Sequence, residues 1–365
     1  MAIFAYVIAP DNTPNANNQI TEIQLENPGF KQLFLLQRKN ILEEKTSFFS
    51  RLFVGKNDPH KWIPIDSYVF EERDLGDSII LARIPVISYS YKNTSDHLRI
   101  EDVVYPLSSA SINKQTIGLG GIEISNDAAF LKQRIEREHL VERTFLLGTD
   151  RYGRDVFSRL LIGVRISLLV GLIAVVISLV IGIMLGSLAG YFGGRMDDAI
   201  MFLINTVWSI PTLLLVFAIV LAFGKNITNI FLAVGLTMWV DVARIVRGQV
   251  MSLKHIEFVE AAKIAGLSDV RIIQKHLLPN IIGPLTVVAA ANFATAILLE
   301  AGLSYLGFGI QAPMPSWGTM LNENYGFAIS GKPIIALVPA LAILLLVLSF
   351  NLLGNGLRDA IDVKS

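Results

Sequence analysis

The feature that most constrains this chain is a series of long apolar stretches, almost free of charge, that begins at Ile166. An α-helix needs about 20 apolar residues to cross a bilayer, and it satisfies its backbone hydrogen bonds internally. The interiors carry Gly, Ala, Ser and Pro, which suits helix packing in lipid. The sequence therefore predicts an all-α polytopic membrane protein with five full spans, at residues 166–188, 200–223, 230–242 (extended by Ile227), 284–303 and 333–353.

Composition narrows the class further. Hydrophobic residues make up 52% of the 365 residues, and the mean hydropathy is +0.53. The zero net charge argues against bulk binding to nucleic acid, so no nucleic-acid partner is expected. The chain has no cysteine, which excludes disulfides and thiol catalysis, and its five histidines are scattered without a His-Glu-x-x-His pair. We expect no catalytic residue, no metal and no cofactor.

The N-terminal residues form a shorter apolar segment. Residues 1–9 are apolar but lack a basic region before them, and Pro10 and Asp11 follow, so they do not resemble a cleavable signal peptide. We interpret residues 1–10 as the C-terminal part of a first transmembrane helix, a partial span that brings the total to six. This interpretation predicts that the natural protein begins upstream of Met1, with more apolar residues and a basic tail.

Residues 11–147 form a polar insert that is long enough to enclose a small core. Amphipathic segments lie at about residues 30–53, and residues 78–91 are rich in β-branched and aromatic side chains. A turn is expected at Gly118–Gly121 and a charged helix at residues 127–143. The pattern predicts a mixed α/β domain with a structural or docking function. A membrane-anchored enzyme is the alternative, but the insert contains no triad, metal cluster or glycine loop.

The distribution of basic residues predicts the orientation. Short cytoplasmic loops carry an excess of Lys and Arg. The loop at residues 243–283 is strongly basic, whereas the loop at residues 307–332 has only Lys332. The former is therefore predicted to be cytoplasmic, together with the tail at residues 357–365, and the insert to be extracytoplasmic. Arg151, Arg154 and their neighbours then lie outside, as long translocated segments allow.

The basic loop also has a defined local pattern. Gly266 can end a first short helix in a left-handed conformation. Ser268 can cap a second helix, with Asp269 in its first turn, and Pro279 is expected to end it. Ala261, Ala262 and Ala265 are predicted to form one narrow face for close approach by another protein. A DNA-reading helix-turn-helix and an inert amphipathic loop are the alternatives, and the position between two membrane spans argues against the first.

These residues resemble a known family. Glu260-Ala261-Ala262, Gly266, His276, Leu278 and Pro279 are similar to the coupling loop, or EAA motif, of ABC importer permeases. A second block, at residues 147–168, is similar to the segment before the second span in dipeptide and oligopeptide permeases of the C type. Further matches extend the resemblance to residues 147–362, and they include Gly193-Gly194-Arg195, Ser209-Ile210-Pro211, Pro315-Ser316-Trp317-Gly318 and Leu357-Arg358-Asp359-Ala360.

The resemblance implies a fold and a set of functional residues. The fold is that of a type I ABC importer permease, with a permease domain at residues 166–356 and an interfacial segment at residues 148–165. Coupling to an ATPase is expected from Glu260, Ala261, Ala262, Gly266, His276 and Pro279. The interfacial motif comprises Gly148, Thr149, Asp150, Gly153, Arg154 and Asp155. A buried Asp–Arg pair there is the simpler interpretation, and a direct functional role is the alternative.

The chain departs from the family at two points. The insert at residues 11–147 is longer than the family's equivalent loop, so its role is not implied by the resemblance. Asn355 stands where the family often has Asp.

The chain lacks a phosphate-binding loop, so a partner must hydrolyse ATP. Gly224-Lys225-Asn226 and Gly55-Lys56-Asn57 lack the Ser or Thr that follows the lysine in such loops. The resemblance implies two ABC ATPase subunits, a second homologous permease in a heterodimer and an extracytoplasmic solute-binding protein, all at the bacterial inner membrane in contact with lipid. A passive channel is the alternative, and it would need no docking loop.

The solute is expected to be a di- or oligopeptide, on the basis of the family branch. Nickel chelates, glutathione and opines remain open as alternatives. Polar residues inside spans are candidates for the pathway, because intramembrane polar groups usually face a bundle interior or water. They are Asn205, Asn292, Glu300 and Asn351.

Overall fold

The computed structural model describes residues 4–41, 47–74, 83–106 and 127–362. The chain divides into two compact units, Met1–Leu161 and Ile162–Ser365. The predicted turn at Gly118–Gly121 and the first part of the predicted β-rich stretch, residues 78–82, lie outside the described residues.

The first unit contains two antiparallel three-stranded sheets. The first sheet has the order β2-β1-β6 and the second has the order β3-β4-β5. The strands are β1 Phe30–Arg38, β2 His60–Ile65, β3 Ser67–Asp74, β4 Arg83–Tyr91, β5 Thr94–Arg99 and β6 Leu140–Phe145. Strand side chains and short helices share a buried core that includes Leu35, Ile65, Ile87, Ile100 and Leu131. The insert is thus a domain with its own core, of mixed α/β structure.

The described part of this unit also contains four short α-helices: α1 Ala5–Ile8, α2 Phe48–Phe53, α3 Ile100–Val104 and α4 Ala128–Arg134. Asp127 caps α4, since its carboxylate accepts from the backbone N–H groups of Ala129 and Phe130. The prediction of one helix over residues 127–143 was wrong at its end. A π-helical turn, Ile135–His139, closes the helix, and Leu140 begins strand β6. Pairing with the free edge of β1 outweighs local helix propensity here.

The second unit is helical. Its helices are α5 Val156–Phe192 (which begins in the first unit), α6 Gly194–Trp208, α7 Thr212–Phe223, α8 Ile227–Leu253, α9 Glu257–Ile264, α10 Asp269–Ile272, α11 Ile282–Tyr305, α12 Trp317–Ile329 and α13 Pro333–Asp362. Within the described ranges, four helical stretches are long and apolar enough to cross a membrane, or five if the bent pair α6–α7 counts as one span. The prediction of a polytopic helical membrane fold is confirmed.

Three details of the spans differ from the prediction. The stretch at residues 200–223 is not one continuous helix, because α6 and α7 meet at 88°. Pro211 explains this break, since it lacks an N–H donor and disfavours helical geometry in the preceding residue. The third span is longer than predicted, at 27 residues. Helix α12 was not predicted, and it begins with a capping box between Ser316 and Thr319.

Helices α5 and α8 pack closely because three glycines, Gly182, Gly186 and Gly190, follow one another at every fourth position of α5. A Cβ atom on Gly182 would lie 2.5 Å from Val242 Cβ, and one on Gly186 would lie 2.4 Å from the Ala243 carbonyl oxygen. A Cβ on Gly190 would lie 2.7 Å from the Arg247 carbonyl oxygen. Small residues spaced in this way let two membrane helices approach at backbone distance.

We therefore expect Gly186→Leu to destabilise the subunit. The new side chain would clash with the backbone of α8, which cannot move aside as a side chain can. The loss in free energy of unfolding should therefore be at least the ~1–3 kcal/mol typical of overpacking. Thermal unfolding of the detergent-solubilised protein measures this. Gly248→Leu is the matched control, because a Cβ at Gly248 has no neighbour within 4 Å. Equal melting of the two variants would contradict this packing.

Candidate functional site

The predicted coupling loop forms a compact helical segment, which we call the coupling segment, at residues 256–281. Helix α9 ends at Ile264, and Gly266 follows with φ of +77°, the left-handed conformation that the sequence predicted. The chain then continues through α10, a π-helical turn at Ile273–Leu277 and a 3-10 turn at Leu278–Ile281.

The inner face of the coupling segment packs against the ends of α5 and α8. Val259, Ala262 and Ile272 are buried in one cluster with Val246 and Val250 of α8. Burying apolar side chains in this way stabilises by roughly 1.5–3 kcal/mol for each large residue. The coupling segment is therefore attached to both long helices through a continuous apolar core.

Tyr191, near the end of α5, adds polar contacts to this attachment. Its hydroxyl donates to Asp269 Oδ1 at 2.7 Å, and the Lys263 ammonium lies 5.1 Å from the centre of its ring. Both partners belong to the coupling segment, one on each of its short helices. No sequence pattern pointed to Tyr191, which is a single aromatic residue at the end of an apolar stretch.

Three predictions about the coupling segment were wrong. Ala261, Ala262 and Ala265 do not share one face, because Ala262 is buried against α8 while the other two are exposed. Pro279 does not end the second helix, because it lies in the first turn of the 3-10 helix and the chain continues into α11. Backbone N–H groups in the first turn of a helix have no intrahelical acceptor, so a proline is tolerated there. Ser268 has extended N-cap geometry but makes no side-chain capping hydrogen bond.

The outer face of the coupling segment exposes apolar side chains beside a carboxylate. Ile264 is 89% exposed, Val270 is 61% exposed, and Phe258 is also exposed. Glu260 is exposed on the same helix as Ile264, whereas His276 is half-buried. Exposed apolar groups next to charged groups characterise surfaces that bind another protein. Of the six predicted coupling residues, Glu260, Ala261, Gly266 and Pro279 are exposed.

A bidentate ion pair joins the start of α6 to α8 nearby. The Arg247 guanidinium donates through Nη2 to Asp197 Oδ2 at 2.6 Å and through Nε to Asp197 Oδ1. Next to it, the Arg244 guanidinium stacks 4.0 Å from the Trp208 ring centre. Fork-to-fork geometry of this kind fixes orientation as well as distance. No sequence pattern indicated this ion pair.

The residues of the interfacial motif meet in the first unit, around a buried carboxylate. Arg154 Nε lies 2.6 Å from Asp150 Oδ2, and both side chains are 2% exposed. Asp150 Oδ1 accepts from the backbone N–H of Tyr152 at 2.9 Å and of Arg154 at 3.0 Å. Arg159 Nε lies 3.7 Å from the same carboxylate. The Asp150 carboxylate is thus held by backbone donors as well as by guanidinium groups.

The remaining motif residues shape the surrounding turn. Gly148 and Gly153 both have positive φ, and a Cβ on Gly153 would lie 1.7 Å from the Ile20 carbonyl oxygen. Thr149 Oγ1 accepts from the Glu26 N–H at 2.9 Å. Asp155 accepts from the Ser158 N–H at the start of α5, and burial raises the pKa of its carboxyl despite the hydrogen bonds from Ser158 and the nearby Arg143.

The structure does not bring the four pathway candidates together. Asn205 and Asn351 are exposed, whereas Asn292 and Glu300 are buried on α11. Eight residues separate the latter two, or roughly 12 Å along a helix. Glu300 Oε1 accepts from Ser304 Oγ at 2.6 Å, and Ser304 Oγ accepts from the Ile310 N–H at 3.2 Å. Through these two hydrogen bonds, Glu300 connects α11 to the loop that follows it, which is a structural role.

Comparison with known proteins gives the class. A family model described as binding-protein-dependent transport system inner membrane component matches residues 182–364. The oligopeptide transport system permease protein OppC of Escherichia coli (strain K12) is 45% identical over 224 residues, which cover 61% of this chain and 74% of OppC. The dipeptide transport system permease protein DppC of Bacillus subtilis (strain 168) is 45% identical over 217 residues, or 60% of this chain and 68% of DppC.

A relative that is named for a different solute has almost the same sequence identity to this chain. The glutathione transport system permease protein GsiD of Escherichia coli O6:K15:H31 (strain 536 / UPEC) is 44% identical over 217 residues, which cover 60% of this chain and 71% of GsiD.

The matched family is one of integral membrane permeases rather than enzymes. This chain belongs to the family of binding-protein-dependent transport system inner membrane components. It is a multi-pass permease subunit of an ABC importer, and the family predicted from the sequence is confirmed.

Proposed function

We propose that this permease translocates di- and oligopeptides inward, driven by ATP that two ABC ATPase subunits hydrolyse. The exposed apolar and acidic outer face of the coupling segment carries this proposal, since its inner face is already fully engaged with α5 and α8. The peptide class is supported by the names of the relatives OppC and DppC. Glutathione is the favoured alternative solute because GsiD is nearly as similar. Nickel chelates and opines remain open.

Force is transmitted through the inner face of the coupling segment. Domain closures move packed elements as rigid bodies. When the ATPase subunits close on ATP, they displace the coupling segment, and its apolar core and the Tyr191–Asp269 hydrogen bond carry α5 and α8 with it. The close packing of α5 on α8 makes the two helices tilt together, between inward-facing and outward-facing states.

A second, homologous permease supplies the other half of the pathway, and a solute-binding protein delivers the solute on the extracytoplasmic side. Asn292 faces the interior of the described helices, and its Nδ2 has no hydrogen-bond partner among the residues that the structure describes. Glu300 Oε2 likewise has no partner among the described residues, so Asn292 and Glu300 are the buried pathway candidates with unused hydrogen-bonding capacity. Asn205 and Asn351, both exposed in this chain, are candidates for contact with the second permease.

Transport in proteoliposomes tests the proposed function. The importer, reconstituted with ATP inside and its binding protein outside, should accumulate a labelled tripeptide, and unlabelled di- and tripeptides should compete. If glutathione competes efficiently and the peptides do not, the solute is glutathione rather than a di- or oligopeptide. Accumulation without ATP would contradict an ATP-driven importer altogether.

The predicted topology has its own test, because the chain lacks cysteine. Asn93, in the exposed turn before β5, and Ser268, in the coupling segment, are both exposed. With the insert outside and the coupling segment inside, Asn93→Cys should react with a membrane-impermeant maleimide added to intact cells, and Ser268→Cys should react only after permeabilisation. The reverse pattern would invert the orientation proposed here.

A further inference from the structure

Two short helices of the first unit expose an unusual amount of apolar surface. In α1 and the residue before it, Phe4, Val7 and Ile8 are exposed, while Ala5 and Tyr6 are buried. In α2 and the residue after it, Phe48 is 70% exposed, and Phe53 and Val54 are also exposed. Single exposed apolar residues are ordinary on protein surfaces, but a group of large ones marks a contact with lipid or protein.

These two helices are joined to each other. Gly55, which follows α2 with φ of +90°, lies so close to Tyr6 that a Cβ would be 2.9 Å from the ring carbon Cε1. The Tyr6 hydroxyl in turn accepts from the Asn15 N–H at 3.0 Å. Tyr6 therefore holds α1 and the end of α2 together, as one element with several exposed apolar side chains.

The same element is tied to the start of a membrane-spanning helix. The Lys56 N–H donates to the Asn12 carbonyl oxygen at 3.0 Å, and the neighbouring Asp11 N–H donates to Ser158 Oγ at 2.8 Å. Ser158 is in the first turn of α5, and it is fully buried. Ser158 also belongs to the predicted interfacial segment, and it lies eight residues, or roughly 12 Å of helix, before the apolar stretch that begins at Ile166.

We propose that α2 and α1, which the sequence assigns to the end of a first span, form a membrane-interface anchor, in which Phe4, Val7, Ile8, Phe48, Phe53 and Val54 contact the lipid of the leaflet in which α5 begins. Continuity with α5 selects lipid over other occupants, because hydrogen bonds join this apolar surface to the predicted interfacial segment, about two helical turns before the apolar stretch of α5. Apolar side chains of an interfacial helix reach roughly 5–10 Å into the boundary between head groups and acyl chains. The anchor would hold the insert at the membrane surface.

Site-directed spin labelling of the assembled importer in phospholipid nanodiscs tests this, with partner subunits whose own cysteines are removed. Val7→Cys, Phe48→Cys and Phe53→Cys each place a nitroxide at an exposed position, so folding should be retained, and ATPase activity of the complex confirms it. Asn93→Cys is the matched control, on an exposed turn of the same unit. Collision rates with oxygen, which partitions into lipid, and with a water-soluble nickel chelate are measured at each site.

The anchor predicts that the oxygen-to-nickel collision ratio at residues 7, 48 and 53 exceeds the ratio at residue 93 by about tenfold, because transfer of a polar chelate into an apolar medium is unfavourable. Ratios equal to that at residue 93 would show that water covers the surface, and they would overturn the proposal. Protection from both reagents would show that another protein subunit covers it, which overturns the lipid assignment as well. Neither outcome depends on which solute the importer carries.

Discussion

Replacing Ile264 with aspartate should reduce ATP-driven uptake to background while the subunit still inserts and assembles with the second permease. Ile264 is 89% exposed at the end of α9 and contributes nothing to the core of its own chain, so its apolar surface is available to a partner. Loss of a central anchor typically costs at least about 2 kcal/mol of binding, or roughly thirtyfold in affinity. Ile264→Leu is the control, and it should transport normally.

Two further variants separate charge from backbone geometry in the same segment. Glu260→Lys reverses an exposed charge without touching the core. Gly266→Val forces a β-branched residue into φ of +77°, which displaces α9 relative to α10. Both should abolish uptake while membrane insertion, measured by immunoblotting of washed membranes, stays normal. Uptake near that of the wild type in both variants would contradict the assignment of the coupling segment.

Arg154→Met should destabilise the subunit by roughly 3–5 kcal/mol, the range found when one partner of a buried ion pair is removed. The Asp150 carboxylate would remain buried with its backbone donors, and the more distant Arg159, at 3.7 Å, would offset its charge less well. Thermal unfolding of the purified subunit measures the loss. Replacing both residues, as Asp150→Asn with Arg154→Met, should restore part of the stability because no unpaired carboxylate is left.

Arg151→Met is the control for this prediction, since Arg151 lies in the same turn but is exposed. It should change stability by no more than about 0.5 kcal/mol. If Arg154→Met unfolds at the temperature of Arg151→Met, the pair does not stabilise the segment. If it remains stable but loses uptake, Arg154 acts directly in transport, which is the alternative that the sequence left open.

The helical membrane part could be predicted from the sequence because lipid permits few solutions for a long apolar stretch. Hydropathy does not show whether a helix changes direction within an apolar stretch. The only sequence sign of the 88° break between α6 and α7 was therefore a proline inside a predicted span. Helix α12 was missed for a related reason. It is too short and too polar to read as a span, and its signal is the local capping box at Ser316.

The insert was harder to predict than the membrane part, because sheet pairing there joins distant segments. Strand β1 lies between β2 and β6, and the register Leu35 to Leu140 spans more than a hundred residues of sequence. Residues 140–143 look helical in isolation, and only the edge of β1 makes them a strand. In the coupling segment, spacing located the turn at Gly266 correctly, but the burial of Ala262 depends on α8 and could not be read from the loop alone.

Photo-crosslinking from the coupling segment tests the central claim most directly. A benzophenone amino acid at Ile264 is compared with the same group at Ile329, which is 90% exposed at the end of α12 on the face predicted to be extracytoplasmic. In membranes containing the assembled importer, illumination should join residue 264, and not residue 329, to an ABC ATPase subunit, identified by mass spectrometry. An ATPase crosslink at residue 329, or none at residue 264 in a complex that hydrolyses ATP, would contradict the account.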